Sequence, residues 1–76
     1  VPGQGETLYL IGDVYRNLAN YSKAQDYLQE ALAIHREIGD IMSEGNTLSI
    51  LGLIYRDLKE YEKALENYQQ ALMIRK

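Results

Sequence analysis

The stretch GNTLSILGLIYRDLKEYEKALENYQQALMIRK, residues 45–76, has a near-copy at residues 5–36, and that repetition decides the fold. With the copies aligned, Gly5, Thr7, Leu8, Gly12, Tyr15, Arg16 and Leu18 return as Gly45, Thr47, Leu48, Gly52, Tyr55, Arg56 and Leu58. The second halves agree as well: Tyr21, Lys23, Ala24, Gln29, Ala31, Leu32 and Ile34 return as Tyr61, Lys63, Ala64, Gln69, Ala71, Leu72 and Ile74. Self-similarity at a period of roughly 20–50 residues marks stacked structural units, none of which buries its apolar face alone. The chain is expected to be one domain, residues 1–76, made of repeat one (1–40) and repeat two (41–76) and belonging to a longer array.

Periodicity within each copy gives the elements. Leu8, Ile11, Gly12 and Tyr15 fall at helical spacing, and Leu10, Val14 and Leu18 make a second stripe, which predicts two packing neighbours for the first helix. Residues 1–4 align with 41–44 and are expected to begin that helix, with Pro2 in its first turn and with Gly3 and Gly5 fraying it. Ala19-Asn20 interrupts the pattern, and Asn20 is a candidate N-cap for a second helix. That helix carries Ala24, Leu28, Ala31 and Leu32 on one face and Tyr27, Ala31, Ile34 and Ile38 on the adjoining one. Gly39 suits the left-handed position after a helix, and Asp40 caps the next. The third helix, 41–58, repeats both stripes as Leu48, Leu51, Gly52, Tyr55 and Ile50, Ile54, Leu58. Gly45 weakens its start. Lys59-Glu60 then opens a fourth helix with Ala64, Leu65, Tyr68, Ala71 and Leu72 inward, still helical in pattern at Lys76.

Composition narrows the work such a chain can do. A net charge of -3 gives no electrostatic reason to bind phosphate backbones, so nucleic acid is not an expected partner. There is no cysteine for a disulfide or a thiolate site, and no apolar run of the roughly 20 residues that span a membrane. Nothing resembles a signal peptide, and a cytoplasmic location is expected. His35, the only histidine, has no second imidazole to share a metal and is expected on the surface beside Arg36 and Glu37. Ser22, Ser43 and Ser49 lack a neighbouring base in the sequence, and the carboxylates are spread over helix faces. No enzyme activity, cofactor or metal is expected.

Glycine inside a helix costs about 1 kcal/mol against alanine, so Gly12 and Gly52 at equivalent positions call for a packing reason. A close helix crossing supplies it. Ala24 and Ala31, and likewise Ala64 and Ala71, lie on the facing helix, with Tyr15 or Tyr55 expected to fill the wedge.

These residues resemble a known pattern. Leu48, Leu51-Gly52, Tyr55, Ala64, Tyr68 and Ala71 are similar to the tetratricopeptide repeat sequence of a large residue, Leu-Gly, Tyr, Ala, aromatic and Ala. Copy one matches through Leu8, Ile11-Gly12, Tyr15, Ala24, Leu28 and Ala31, so the resemblance covers essentially the whole chain. The usual repeat is roughly 34 residues, whereas here the copies are longer and Arg36 and Lys76 stand where a closing proline is common. In this the chain resembles the longer-period repeats of bacterial signalling arrays and of Pins-like and kinesin light chain adaptors. The resemblance implies an all-α fold of two stacked antiparallel helix-turn-helix repeats, four helices in a right-handed superhelical solenoid.

It also implies a protein-protein interaction scaffold that binds a peptide or protein segment in a concave groove lined by the first helix of each repeat. That groove would be lined by Glu6, Tyr9, Asp13, Arg16 and Asn17 in copy one and by Asn46, Ser49, Leu53, Arg56 and Asp57 in copy two. Tyr9 and Leu53 are the anchors, since aromatic and apolar groups on such a face are enriched at hot spots. Arg16 and Arg56 are read first as solvated charges beside Asp13 and Asp57, and secondly as contacts for a peptide carboxylate. The family's carboxylate clamp has lysine and asparagine where Tyr9, Asp13, Ser49 and Leu53 stand, which argues against a chaperone-tail ligand. The alternative function is self-assembly: Leu65, Tyr68 and Leu72 would leave an apolar stripe that stacks head-to-tail on the first helix of another copy. A variant of that reading straightens the Gly39-Asp40 turn and exchanges repeats between protomers.

Overall fold

Each of the three predicted breaks is a hydrogen-bonded turn between helices. The structure, a computed structural model, describes residues 3–74 and contains α1 (Gln4–Asn17), α2 (Tyr21–Ile38), α3 (Ile41–Asp57) and α4 (Tyr61–Ile74). Val1, Pro2, Arg75 and Lys76 lie outside the described residues, so the first-turn role expected of Pro2 and the helical end expected at Lys76 do too.

The turns use one device three times. After α2, Gly39 sits in the left-handed region at φ 72°, the Asp40 N–H reaches back to the His35 carbonyl at 2.9 Å, and the last carbonyls of the helix are satisfied. The other two turns make the same bond, Asn20 N–H to the Tyr15 carbonyl at 2.9 Å and Glu60 N–H to the Tyr55 carbonyl at 2.8 Å. There, however, the left-handed residues are Ala19 (φ 60°) and Lys59 (φ 63°), neither of which signals that conformation in a sequence. Helix starts follow. The Asn20 side chain accepts from the Lys23 N–H at 3.4 Å and Asp40 from the Ser43 N–H at 3.2 Å, as the sequence predicts for both caps.

α1 packs antiparallel on α2 and α3 on α4, and the two hairpins join through α2 and α3. Leu28 and Leu32 of α2 meet Leu48, Leu51 and Ile54 of α3 in the buried core, with Ala24 and Ala71 beside them. The glycines sit where the helices come closest. A Cβ on Gly12 would stand 2.7 Å from Leu28 Cγ, and one on Gly52 would stand 2.7 Å from Tyr68 Cε1. Close crossing is therefore the reason for both glycines. The side chains that fill the gap are Leu28 and Tyr68, whereas Tyr15 stacks on Tyr27 with centroids 5.5 Å apart.

Several expectations are corrected. Leu10, Val14 and Leu18, the second stripe of α1, are exposed, as is Ile38 on α2, because no element among the described residues lies against them. Gly5 has a packing role. It is buried, and an added Cβ would come within 3.0 Å of the His35 ring and of Ile34 Cγ2. His35 is the largest departure: it is only 2% exposed, buried against α1 instead of lying on the surface. The sequence places His35 among charged residues, Arg36 and Glu37, but the missing side chain at Gly5 opens the space that its ring enters. On α4, Leu65 and Leu72 point outward while Tyr68 is half-buried against Gly52, so only Ala64 and Ala71 of the predicted inward set are fully enclosed.

Candidate protein-binding face

Alternate helices lie side by side. The backbones of α1 and α3 approach each other, whereas those of α2 and α4 stand farther apart and are bridged by a side-chain bond, Arg36 Nη2 donating to Gln70 Oε1 at 3.4 Å. The expected groove is the α1/α3 side. Of the ten residues expected there, Tyr9, Asp13, Arg16, Ser49 and Leu53 are half-buried, and Glu6, Asn17, Asn46, Arg56 and Asp57 are exposed.

Their chemistry differs along the face. Near the C-terminal end of α1, Arg16 folds back on Asp13, its Nε and Nη2 donating at 3.2 and 2.9 Å to one carboxylate oxygen. An i,i+3 pair of this kind leaves Arg16 occupied. Arg56 stands 3.5 Å from Asp57, whose other oxygen accepts from the Tyr21 hydroxyl at 3.2 Å. Asp57 thus ties the end of α3 to the start of α2. Desolvation first, and the nearby Asp57 carboxylate second, push the Tyr21 phenol above its ordinary range. Lys23 lies over the Tyr15 ring at 5.5 Å and Lys63 over Tyr55 at 5.6 Å, an interaction repeated in both hairpins.

Near the N-terminal ends of α1 and α3 the face opens into a recess of about 230 Å³, lined by Glu6, Tyr9, Leu10, His35, Ser43 and Asn46. Three predicted face residues, Glu6, Tyr9 and Asn46, are thereby brought together; Ser49 and Leu53 lie further along α3 and do not join them. Leu10, His35 and Ser43 complete the lining and were not expected there. The only sequence signal for His35 was Gly5, whose buried neighbour is invisible without the fold. Tyr9 is held above the ordinary phenol range, by desolvation first and by Asp13 second, so its hydroxyl keeps its proton as a donor. The Ser43 hydroxyl and then its backbone N–H hold the Asp40 carboxyl below its ordinary range. Both ring nitrogens of His35 lack a hydrogen-bond partner among the described residues.

Among the described residues no group of three or more histidines and carboxylates is arranged to hold a metal, and no helix is long and apolar enough to cross a membrane. No curated protein and no solved structure matches the chain. A tetratricopeptide repeat family model matches residues 3–76, and repeats of that family generally bind other proteins and are typically non-catalytic. Two helical hairpins with Gly12 and Gly52 at their crossings are the structural counterpart of that match, and the chain belongs to the tetratricopeptide repeat family.

Proposed function

We propose that this chain is a non-catalytic adaptor unit of a longer-period tetratricopeptide array, which takes an extended segment of another protein along the α1/α3 face. The observation that carries this reading is the closer backbone approach of α1 to α3 than of α2 to α4. Tyr9, Ser49 and Leu53 on these two helices are half-buried, without the enclosure of a core. Amphipathic and apolar groups so placed are the usual anchors of a recognition surface. Selecting peptides from a displayed random library against the chain tests the reading. Selected peptides should lose affinity on Tyr9→Ala or Leu53→Ala while the helical content stays unchanged. Peptides that bind equally well to both variants would place recognition elsewhere.

A second reading, head-to-tail self-association, is favoured by a specific mismatch. Leu32 of α2 is 5% exposed because α3 covers it, whereas its repeat equivalent Leu72 on α4 is 64% exposed. The α2–α3 junction is a template for α4 of one copy against α1 of the next. Such a contact is heterologous and does not close on itself. Light scattering over a wide concentration range should show growth for the native chain and none for Leu72→Glu. An unchanged particle mass in the variant removes this reading.

A further inference from the structure

His35 presents an unusual combination: it is 2% exposed, lines a recess that opens between α1 and α3, and has no partner at either nitrogen among the described residues. Buried polar groups are nearly always hydrogen-bonded, and one left without a partner at the floor of a recess calls for an occupant. The recess is below the roughly 300–1,000 Å³ typical of sites for drug-sized ligands, so it suits a single side chain. Its polarity has a sign. Glu6 is the one charged group in the lining and makes no ion pair among the described residues. Arg36, which follows His35 in the chain, is engaged: it donates to Glu44 at 2.8 Å. Asp40, close enough for His35 to influence its carboxyl, adds negative potential behind Ser43.

We propose that this recess takes the cationic side chain of a lysine or arginine from a bound protein segment. Tyr9 and Leu10 give the apolar wall along which a methylene stem lies, as such stems do on apolar surface. Glu6 receives the charged head, the Ser43 oxygen accepts from one of its remaining donors, and a small turn of the His35 ring, whose nitrogens are enclosed in the unliganded chain, lets one of them accept as well. Gly5 makes the arrangement possible, since a Cβ there would stand 3.0 Å from His35 Nδ1 and press the ring out of place. This inference rests on the reading of the α1/α3 face as a protein-binding surface, and it adds the identity of one anchor.

The test is an amide-resolved NMR titration of the chain with N-acetyl-arginine amide and N-acetyl-lysine amide, with the norleucine and glutamate analogues as controls, up to about 10 mM, a range suited to weak single-side-chain binding. The two cationic amides should shift Gly5, Tyr9, His35 and Ser43, and the controls should not. Glu6→Gln should weaken binding about tenfold or more. His35→Leu should weaken it comparably without lowering the melting temperature, because it removes an unpartnered polar group from a buried place. If His35→Leu fails to fold, the exposed Glu6→Gln change still decides the matter. No shifts with either cation, or equal shifts with the glutamate amide, overturn the proposal. Library-selected peptides that depend on Tyr9 and Leu53 but are indifferent to Glu6→Gln would end this inference and leave the groove reading standing. Arginine amide binding without any peptide binding would leave a cation site in the recess and overturn its assignment to a protein segment.

Discussion

Val14 and Ile54 occupy the same place in the two repeats, yet Val14 is 56% exposed and Ile54 is fully buried. The same divergence runs along the helices. Leu10 and Leu18 on α1 are more than half exposed while Ile50 on α3 is half-buried, and Thr7 is exposed where Thr47 is completely enclosed. Sequence alone presents these as equivalent stripes. Burial is a property of the neighbour: α3 has α2 behind it and α4 beside it, whereas α1 has α2 and only a light touch from α3. An apolar stripe therefore states a capacity for contact, and the stacking order determines which copy fulfils it.

The sharpest way to test that contrast is truncation at the two equivalent positions. Ile54→Ala should cost about 2–5 kcal/mol in urea unfolding, from lost transfer energy and the cavity left behind. Val14→Ala should change stability by less than about 0.5 kcal/mol in dilute solution. A Val14→Ala penalty that appears only at high protein concentration would show that another copy covers α1. Equal penalties at all concentrations would break the comparison.

The helix crossings should be alike where the outer faces are not. Gly12→Val and Gly52→Val each place atoms where Leu28 Cγ or Tyr68 Cε1 already stands, and overpacking of this kind costs about 1–3 kcal/mol. Calorimetry should show both variants destabilised despite the better helix propensity of valine. A neutral result at either site would mean that the hairpin opens there without loss.

A smaller effect, of opposite sign, is expected at the turns. Ala19→Gly and Lys59→Gly relieve left-handed conformations that side-chain-bearing residues adopt only at a cost, and each should raise stability by about 0.5–1 kcal/mol. Gly39→Ala should lower it, since Gly39 already has the residue that φ 72° favours. Melting temperatures of the three variants place the turns on one scale.

The smallest effect concerns the cap between the repeats. The Asp40 carboxyl lies below its ordinary range through donation from Ser43, so its ionised form stabilises the folded chain. That contribution is complete above the unfolded aspartate range, near about pH 4, and is lost as pH falls through the lower folded value. Asp40→Asn keeps a capping oxygen and removes the charge. The melting temperatures of the two forms should differ at neutral pH and converge in acid; a constant gap would assign the effect to another group.

Much of this was legible in the residues. Asn20, Gly39 and Asp40 announce their turns because their chemistry satisfies helix ends locally, and Gly12 and Gly52 announce crossings because nothing else excuses a glycine inside a helix. Ala19 and Lys59 gave no such signal. The α1/α3 face was legible as a set of leftover positions, but the recess was not. Glu6, Tyr9 and Asn46 are on different helices, and His35, which joins them, sits between charged residues in a polar-looking stretch.

The sequence by itself determined the two-copy plan, four helices, their caps and the closeness of each hairpin, because those depend on spacing within a few turns of chain. Tertiary structure alone decided which of two equivalent stripes is covered and that Gly5 admits the His35 ring. Those outcomes depend on what lies across the gap, and two residues thirty positions apart carry no local mark of meeting.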